Sequence, residues 1–362
     1  MSGLLVCDNV YQLQLGWAMH ALHLGAYRIG AVISIGDVRL GHRARDIAAQ
    51  AGWQHLHVSC PPSFHGQLAR AVMLGIRPPR GLRTVLRSTR ALIIFNDTHP
   101  CTARIRSLCP GARVSLIEEG TGLHRSRPVG RLSPRRWLGG RLVRGLNVSG
   151  RQGEAPWVDE LWVTQTHALT PAQQRKRVRT FDRQAAVAEM RRSCGVEAGL
   201  GDDDRPVLLL LGQPFVEDGV LTRRAFDSML DALSAALGSS VDRMRRVYKP
   251  HPREREPRRS AGRALGSGVV MLDQHVPLET LDFGSRRLFV LSFTSGAVRQ
   301  LGDTWRCVSV ARCFPTLAGE IGDVRTYAGV TFLEHLLELP GEVAAFIDTG
   351  ARRAVPEAPH AG

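Results

Sequence analysis

Short apolar runs alternate with amphipathic segments along the first half of the chain. Apolar residues at helical spacing follow several of these runs, near residues 10–24, 42–52 and 99–108. The runs have the length of buried strands, and they are LLVC at 4–7, AVISI at 31–35, ALIIFND at 91–97 and RVSLIEEG at 113–120. Strand and helix in strict alternation predict right-handed βαβ units and a parallel sheet.

A polar stretch separates this pattern from a second one of the same kind. Residues 195–206, GVEAGLGDDDRP, combine glycines, successive aspartates and a proline, which is typical of a linker. Beyond it, helices are predicted near 220–238 and 254–265, and strands at VLLLLG, RVYKP, VVML, RLFVLSF and CVSV. We therefore predict an α/β protein with two Rossmann-like lobes, residues 1–194 and 207–362, and a cleft between the lobes.

Composition limits the partners and the compartment. With 362 residues, of which 43% are hydrophobic and 22% charged, the chain is typical of a globular protein. Its net charge of +15 is mostly due to arginine and predicts an anionic partner, such as a nucleic acid, an acidic membrane face or an acidic glycan. Seven cysteines without CxxC spacing favour reduced thiols. We expect a cytoplasmic protein, attached to a membrane at most on its cytoplasmic face.

Three polar motifs follow predicted strands, where ligands bind in open parallel sheets. The first is Glu118-Glu119-Gly120, at the end of a strand of the first lobe. Neighbouring strand residues point to opposite faces, so one of the two glutamates can face a cleft. A carboxylate in that position can act as general base for a hydroxyl nucleophile. Taken alone, the motif also fits a solvated acidic turn.

The second motif is KPHPRE in the second lobe. Its prolines hold His251 on an extended, non-helical stretch, with Lys249 and Arg253 on either side. Two cations around a histidine suit an anion, and phosphate is the anion we expect. A surface loop with basic residues by chance is the alternative for this motif alone.

The third motif is SFTSGAV, where a strand gives way to hydroxyl-bearing residues and then to a predicted helix. Thr294 and Ser295 at the start of that helix offer hydroxyl and backbone N–H groups to an anion. The same residues are also common helix caps. Each motif is weak alone, whereas the three together, in this order, are much more specific.

The three motifs resemble those of the bacterial sialyltransferases, which carry an Asp/Glu-Asp/Glu-Gly motif, an HP motif and a Ser-Ser/Thr motif. The most similar branch comprises the capsular α-2,8-polysialyltransferase-like proteins and their lipooligosaccharide sialyltransferase relatives. The resemblance covers about residues 3–301 and includes the stretches VCDNVYQLQL, FNDTHP, LGQPFVEDG and VPLETL. It implies a GT-B fold, a CMP-activated nonulosonic acid as donor, inversion at the anomeric centre, and no metal or other cofactor.

The resemblance also implies roles for single residues. The general base falls on Glu118 or Glu119, with a slight preference for Glu118. His251 would donate a proton or hydrogen bond to the departing CMP phosphate. The other positions assigned to the donor site are Lys249, Pro252, Arg253, Glu279, Thr294 and Ser295. Among these, the hydroxyl pair would hold the phosphate and Glu279 would accept hydrogen bonds from the cytidine ribose.

An arginine-rich segment follows the acidic motif. Its arginines are at positions 125, 127, 131, 135, 136, 141, 144 and 151. Arginines crowded together repel one another unless anions offset their charge, and they pair well with carboxylates and phosphates. We expect Arg135, Arg136 and Arg141 to contact an anionic glycan acceptor or lipid headgroups on the inner membrane face. A solvated basic loop is the third possibility.

Two other functional classes compete with this interpretation. A CDP-polyol phosphotransferase of the teichoic acid type shares the GT-B fold, the HP histidine and CMP as leaving group. The Asp-Tyr-Ser-Ser sequence expected in that class is SFTSGA here, and the acidic motif has no role in that chemistry. A nucleic-acid-binding protein would account for the charge, but aromatic residues make up only 6% and no recognition motif is present, so no nucleic acid partner is expected.

Overall fold

The computed structural model describes residues 2–61, 63–79, 81–119, 123, 134–147, 149, 151–167, 169–201, 205–295, 297–298, 305–318 and 329–348. The chain divides into two compact units, Met1–Gly195 and Val196–Gly362. Within the described ranges, no helix is both long and apolar enough to span a bilayer.

The first unit is built on a parallel sheet. Its strands are β1 (Ser2–Cys7), β2 (Arg28–Gly36), β3 (Gln54–Ser59), β4 (Ala91–Ile94), β5 (Arg113–Ile117), β6 (Glu160–Val163) and β7 (Arg177–Thr180). They pair in the order β3-β2-β1-β4-β5-β6-β7, and all neighbours run parallel. The strand order changes direction between β1 and β4, which is where open α/β sheets bind ligands, beyond the carboxyl ends of the strands.

Helices cover both faces of this sheet. They are α1 (Val10–Leu22), α2 (Val38–Gln50), α3 (Phe64–Ile76), α4 (Leu82–Ser88), α5 (Pro100–Leu108), α6 (Pro134–Leu142), α7 (Pro171–Gln174) and α8 (Arg183–Cys194). Leu4 and Val6 belong to the apolar core on one face, and Leu5 and Cys7 to the core on the other. A parallel strand covered on both faces must be apolar on both, which explains the unbroken LLVC run.

The second unit repeats this plan. Its strands are β8 (Val196–Glu197), β9 (Val207–Leu211), β10 (Arg245–Lys249), β11 (Val270–Met271), β12 (Leu281–Asp282), β13 (Leu288–Ser292), β14 (Arg306–Ser309) and β15 (Val330–Phe332). The main sheet has the order β11-β10-β9-β13-β14-β15, again parallel throughout, while β8 pairs with β12. The helices are α9 (Arg223–Leu237), α10 (Pro257–Leu265), α11 (Pro315–Ala318) and α12 (Leu339–Asp348). The order changes direction between β9 and β13.

These observations confirm the predicted α/β class with two Rossmann-like units. The division between the units falls at Gly195, where the predicted linker begins. Part of the 195–206 stretch has structure of its own. Val196 and Glu197 pair with β12, and Leu200 is buried in the core of the second unit. This stretch therefore contributes to the second unit as far as Leu200.

Candidate functional site

The two glutamates that follow β5 have different surroundings. Glu118 is buried, and its carboxylate accepts hydrogen bonds from the backbone N–H of Thr164 at 2.7 Å and from the hydroxyl of the same residue at 2.9 Å. Arg183 forms an ion pair with it, with Nη2 3.3 Å from Oε1. These contacts hold the start of α8 and the end of β6 to β5. The carboxylate of Glu118 is thus engaged within the fold.

Glu119 is half-buried and lies against the turn between β1 and α1. Its Oε1 accepts a hydrogen bond from Asn9 Nδ2 and its Oε2 one from Gln12 Nε2, both at 2.6 Å. Burial, followed by the negative charge of Asp8, raises the pKa of Glu119 to about 7. The hydrogen bonds from Asn9 and Gln12 and the charge of Arg183 lower this pKa, but by less. A carboxylate with a pKa near 7 can both accept and release a proton at neutral pH.

Asp8 and Asn96 complete this group at the switch point of the first sheet. Asp8 accepts hydrogen bonds from Asn9 Nδ2 at 3.2 Å and from Asn96 Nδ2 at 3.4 Å. Burial raises the pKa of Asp8, and the charge of His99 lowers it. We call Asp8, Asn9, Gln12, Asn96 and Glu119 the acidic cluster. Asp8 and Asn9 follow β1, Asn96 follows β4 and Glu119 follows β5, three neighbouring strands of the sheet, while Gln12 lies in the first turn of α1.

Arg183 holds the backbone of the acidic motif, a role that could not be predicted from the sequence. One guanidinium nitrogen, Nη1, donates to the hydroxyl of Tyr11 at 2.9 Å and to the carbonyl of Glu119 at 3.3 Å. The other, Nη2, donates to the carbonyl of Glu118 at 3.0 Å. Because Arg183 begins α8, far along the chain from both glutamates, only the folded topology brings these groups together.

The aspartate of the FNDTHP stretch has a structural role. Asp97 is buried and accepts hydrogen bonds from Asn147 Nδ2 at 2.9 Å and from the backbone N–H groups of Gly153 and Ala155 at 3.0 Å. It thereby holds Asn147, Gly153 and Ala155 to the loop after β4. His99 in the same stretch caps α5, with Nδ1 accepting the N–H of Cys101 at 3.2 Å.

In the second unit, the HP motif forms the loop after β10, and its geometry fixes the tautomer of His251. The ring Nδ1 accepts the backbone N–H of Arg253 at 3.2 Å, so the neutral ring carries its proton on Nε2. Burial, then the charges of Arg253 and Lys249, lower the pKa of His251 to about 4. At neutral pH the ring is therefore neutral, and Nε2–H is a hydrogen-bond donor.

Lys249 and Gln274 stabilise this loop through hydrogen bonds to backbone carbonyls. Lys249 is buried, and its ammonium donates to the carbonyls of Pro250 at 3.1 Å and Gln274 at 3.2 Å. The side-chain amide of Gln274 donates to the carbonyls of His251 at 2.8 Å, Pro252 at 3.0 Å and Glu254 at 2.9 Å. Sequence analysis assigned Lys249 to the donor site and overlooked Gln274, whose role depends on contacts across the fold.

Pro252 and Arg253 are exposed at the tip of the loop. The guanidinium of Arg253 forms an ion pair with Asp218, which belongs to the LGQPFVEDG stretch after β9. Gly212 in that stretch passes close to the base of the HP loop, where a Cβ atom would lie 2.4 Å from Glu254 Oε2 and 2.7 Å from the hydroxyl of Tyr248. A side chain at this position would displace the Glu254 carboxylate and the Tyr248 hydroxyl, which form a hydrogen bond of 2.8 Å with each other.

The hydroxyl pair lies on the other side of β9 from the HP loop. Thr294 and Ser295 follow β13 and are half-buried. The hydroxyl of Thr294 donates to Gln213 Oε1 at 3.4 Å, while the backbone N–H of Ser295 donates to Ser292 Oγ at 3.0 Å. Because β9 pairs with both β10 and β13, the HP loop, Gln213 and the hydroxyl pair share one edge of the sheet. The strand order of this sheet changes direction at the same place, between β9 and β13.

Glu279 is buried in a 3₁₀ turn, Leu278–Thr280, between β11 and β12. Gln274, which contacts the HP loop, lies in the same connection. Within the described ranges, no three His, Cys, Asp or Glu side chains are grouped so as to hold a metal ion.

The arginine-rich segment is described only in part. Arg141 lies near the end of α6 and is exposed. Gly120 of the acidic motif and the side chains of Arg135 and Arg136 lie outside the described residues. So do the arginines at positions 125, 127 and 131.

Comparison with known proteins identifies the fold. No family model and no curated protein matches the sequence. Among solved structures, a UDP-GlcNAc 2-epimerase from Methanocaldococcus jannaschii matches with 12% identity and a TM-score of 0.54, covering 96% of this chain and 93% of the other. A UDP-GlcNAc 2-epimerase from Neisseria meningitidis, bound to UDP-GlcNAc, has 12% identity, a TM-score of 0.56 and coverages of 96% and 92%. The fold is GT-B.

An α/β-galactoside α-2,3-sialyltransferase from Photobacterium phosphoreum is also similar to this chain. It has 7% identity and a TM-score of 0.50, and the match covers 91% of this chain and 97% of the other. At such low identities these likenesses show the GT-B fold alone.

Proposed function

We propose that the protein is an inverting glycosyltransferase that transfers sialic acid or a related nonulosonic acid from its CMP-activated form to a hydroxyl group of a cell-surface glycan. The observation that carries this proposal is the chemistry at the two switch points. The first sheet bears a carboxylate with a pKa of about 7, and the second bears a neutral histidine beside a hydroxyl pair. The GT-B fold and the order of the three motifs support the same assignment.

His251 acts on the leaving group. When the bond between the anomeric carbon and the phosphate breaks, its electron pair goes to a phosphate oxygen. The Nε2–H of His251 donates a hydrogen bond to that oxygen and stabilises the negative charge that develops there, while the ring stays neutral because the N–H of Arg253 occupies Nδ1. Thr294 and Ser295 add donors from the opposite side of β9. Glu279 would accept hydrogen bonds from the ribose hydroxyls.

The remaining donor-site residues act mainly by shaping the HP loop. Lys249 donates a hydrogen bond to the carbonyl of Pro250 in the loop. Its positive charge also lowers the pKa of His251, which favours the neutral ring before a phosphate binds. Arg253 connects the loop to Asp218, and its backbone N–H fixes the tautomer of His251. Pro252 keeps the exposed tip of the loop extended. In this proposal these residues position His251 for the phosphate.

Glu119 is the general base in this proposal. The new bond forms between the acceptor oxygen and the anomeric carbon, and the hydroxyl proton passes to Glu119. The geometry favours Glu119 over Glu118, which had the slight preference on sequence grounds. The carboxylate of Glu118 is buried and paired with Arg183 and Thr164, which stabilise its ionised form and keep it within the fold. Glu119 is half-buried at the carboxyl edge of the sheet.

The basic segment is proposed to contact an anionic surface. Leu138 and Leu142 on α6 are 52% and 49% exposed and are one helical turn apart, with Arg141 between them. Exposed leucines beside arginines are typical of helices that lie at a membrane interface. We therefore favour lipid headgroups on the inner membrane face as partner of α6, over an anionic glycan acceptor.

A panel of activated sugars tests the proposal. The protein is incubated with CMP-activated nonulosonic acids, UDP-GlcNAc and CDP-glycerol, and nucleotide release is measured with and without EDTA. We expect CMP release from a CMP-nonulosonic acid, unchanged by EDTA. A phosphodiester product from CDP-glycerol would instead indicate a polyol phosphotransferase. Salt-sensitive retention of nucleic acid without any response to CMP would indicate a binding protein.

A further inference from the structure

One amide group links two carboxylates in the acidic cluster. Asn9 Nδ2 lies 2.6 Å from Glu119 Oε1 and 3.2 Å from Asp8 Oδ1, so its two hydrogens serve one carboxylate each. The amide cannot rotate freely, because its Oδ1 caps α1 by accepting the N–H of Gln12 at 2.8 Å. Asp8 and Glu119 are therefore held near each other by a rigid bridge.

Gln12 forms a second bridge between the same two residues. Its Nε2 donates to Glu119 Oε2 at 2.6 Å, and its Oε1 accepts the backbone N–H of Asp8 at 2.7 Å. Both bridges come from the first turn of α1, which connects the ends of β1 and β5. The spacing of the two carboxylates is thus built into the turn that follows β1.

From this geometry we propose that Asp8 and Glu119, whose carboxylates contact the same amide nitrogen, titrate as one coupled pair that holds a single proton near neutral pH, so that Asp8 is a positioning residue that sets when Glu119 can accept a proton. Two carboxylates held this close do not readily ionise together, because each negative charge disfavours the other. The pair then titrates in two steps, and the second step lies well above the usual range of a carboxylic acid. The catalytic consequence rests on the proposed role of Glu119 as base.

Charged and titratable groups on neighbouring elements also face Asp8 and Glu119. Arg183 at the start of α8 lowers the pKa of Glu119, but its guanidinium is mainly engaged by Glu118 and by backbone carbonyls. His99 at the start of α5 lowers the pKa of Asp8. Cys7 on β1 is a neutral thiol, since burial and both carboxylates raise its pKa. The cluster's amides are uncharged.

The test is a direct titration of Glu119 that needs no substrate. Protein labelled with ¹³C at the glutamate side-chain carboxyls is titrated by NMR, and the Glu119 resonance is assigned by its loss in Glu119→Gln. We expect a titration midpoint of about 7 in the unaltered protein. In Asp8→Asn the midpoint should fall by at least about one unit, a tenfold change in the acid dissociation constant.

Asp37→Asn is the matched control. Asp37 follows β2 at the same edge of the sheet and caps α2 by accepting the N–H of Leu40, a task that asparagine performs equally well. This variant loses the same charge outside the cluster and should leave the midpoint unchanged. Should Asp8→Asn fail to fold, Asp8→Ser keeps a hydrogen-bond acceptor for Asn9 and should give the same downward shift.

An unchanged midpoint in folded Asp8→Asn or Asp8→Ser, or an equal shift in Asp37→Asn, would overturn the inference. The proposed function fails separately, through the absence of CMP release from CMP-nonulosonic acids. A lowered midpoint in a protein without that activity would uphold the carboxylate pair and reject only its use in sugar transfer.

Discussion

At the scale of single residues, His251 owes its proposed role to one hydrogen bond. The N–H of Arg253 occupies Nδ1, which leaves Nε2–H as the donor toward a phosphate. Replacing His251 with alanine removes that donor, and loss of such a group typically lowers turnover by about 10²- to 10⁴-fold. Steady-state CMP release measures the effect. His167→Ala, at an exposed position in the first unit, is the control and should turn over normally. Near-normal activity of His251→Ala would remove the histidine from the mechanism.

The two glutamates should respond differently to the same substitution. Glu119→Gln should lower turnover by about 10²- to 10⁴-fold, because an amide cannot accept the proton, and should cost only about 1 kcal/mol of folding free energy, because its NH₂ group deprives either Asn9 or Gln12 of a hydrogen-bond acceptor. Glu118→Gln breaks a buried ion pair with Arg183, which costs about 3 kcal/mol or more of folding free energy. Thermal denaturation and turnover assays of both variants make the comparison. A stable, inactive Glu118→Gln beside an active Glu119→Gln would reverse the assignment.

The pH dependence of transfer should reflect Glu119. The base must be ionised, and the pKa of Glu119 is raised to about 7 by burial and by Asp8. Turnover should therefore rise with pH up to about 7 and level off above it, falling up to tenfold per unit on the acid side. A pH–rate profile at constant ionic strength measures this. Activity that is lost as pH increases through 7 would mean that the group acts as an acid.

The general base could be predicted from the sequence only as one of two residues, Glu118 or Glu119. Alternation along a strand shows that only one of two neighbouring side chains can face a cleft, and it does not show which one. The decision comes from contacts with Thr164, Arg183 and Asn9, which are distant in sequence. The non-helical loop around His251 could be predicted from the sequence, because prolines restrict the backbone locally.

At the scale of elements, α6 provides a test of the membrane partner. Arg135, Arg136 and Arg141 changed together to glutamine should weaken binding to anionic vesicles. Each basic residue near such a bilayer contributes about 1 kcal/mol, so the loss should be about a hundredfold. Vesicle co-sedimentation measures it, with CMP release on a water-soluble acceptor unchanged.

The control for α6 removes the same charge from exposed arginines elsewhere on the first unit, at positions 83, 87 and 90. This triple variant should lose much less vesicle binding. Intact vesicle binding with a raised KM for the acceptor would identify the acceptor glycan as the partner. No change in either assay would mean that the arginines on α6 are only solvated.

Burial explains most of the strands that were predicted and missed, although β6 is fully buried and was not predicted. Central strands such as β4 and β9 are apolar on both faces and were predicted from their composition alone. The edge strands β3 and β7 were not predicted, because QHLHVS and RVRT are largely polar and partly exposed. Such strands form because a neighbour already presents its hydrogen-bonding edge. That condition exists only in the assembled sheet.

At the scale of the whole molecule, each unit gathers its polar motifs at the carboxyl edge of a parallel sheet. In the first sheet β1, β4 and β5 are adjacent, and in the second sheet β10, β9 and β13 are adjacent. Residues far apart in sequence, such as Asp8 and Glu119, therefore meet without any local signal. Sequence analysis could predict the fold and the motifs. The bracing residues Gln274 and Arg183 required the folded chain.

Transfer from a CMP-nonulosonic acid tests the proposed function most directly. The purified protein is given that donor and a glycan acceptor, and both CMP and the glycosylated product are quantified by mass spectrometry. The proposed function predicts equal amounts of CMP and of a product heavier by one nonulosonic acid residue, with both abolished in Glu119→Gln and in His251→Ala. Absence of any product, or unchanged yield in either variant, would contradict it.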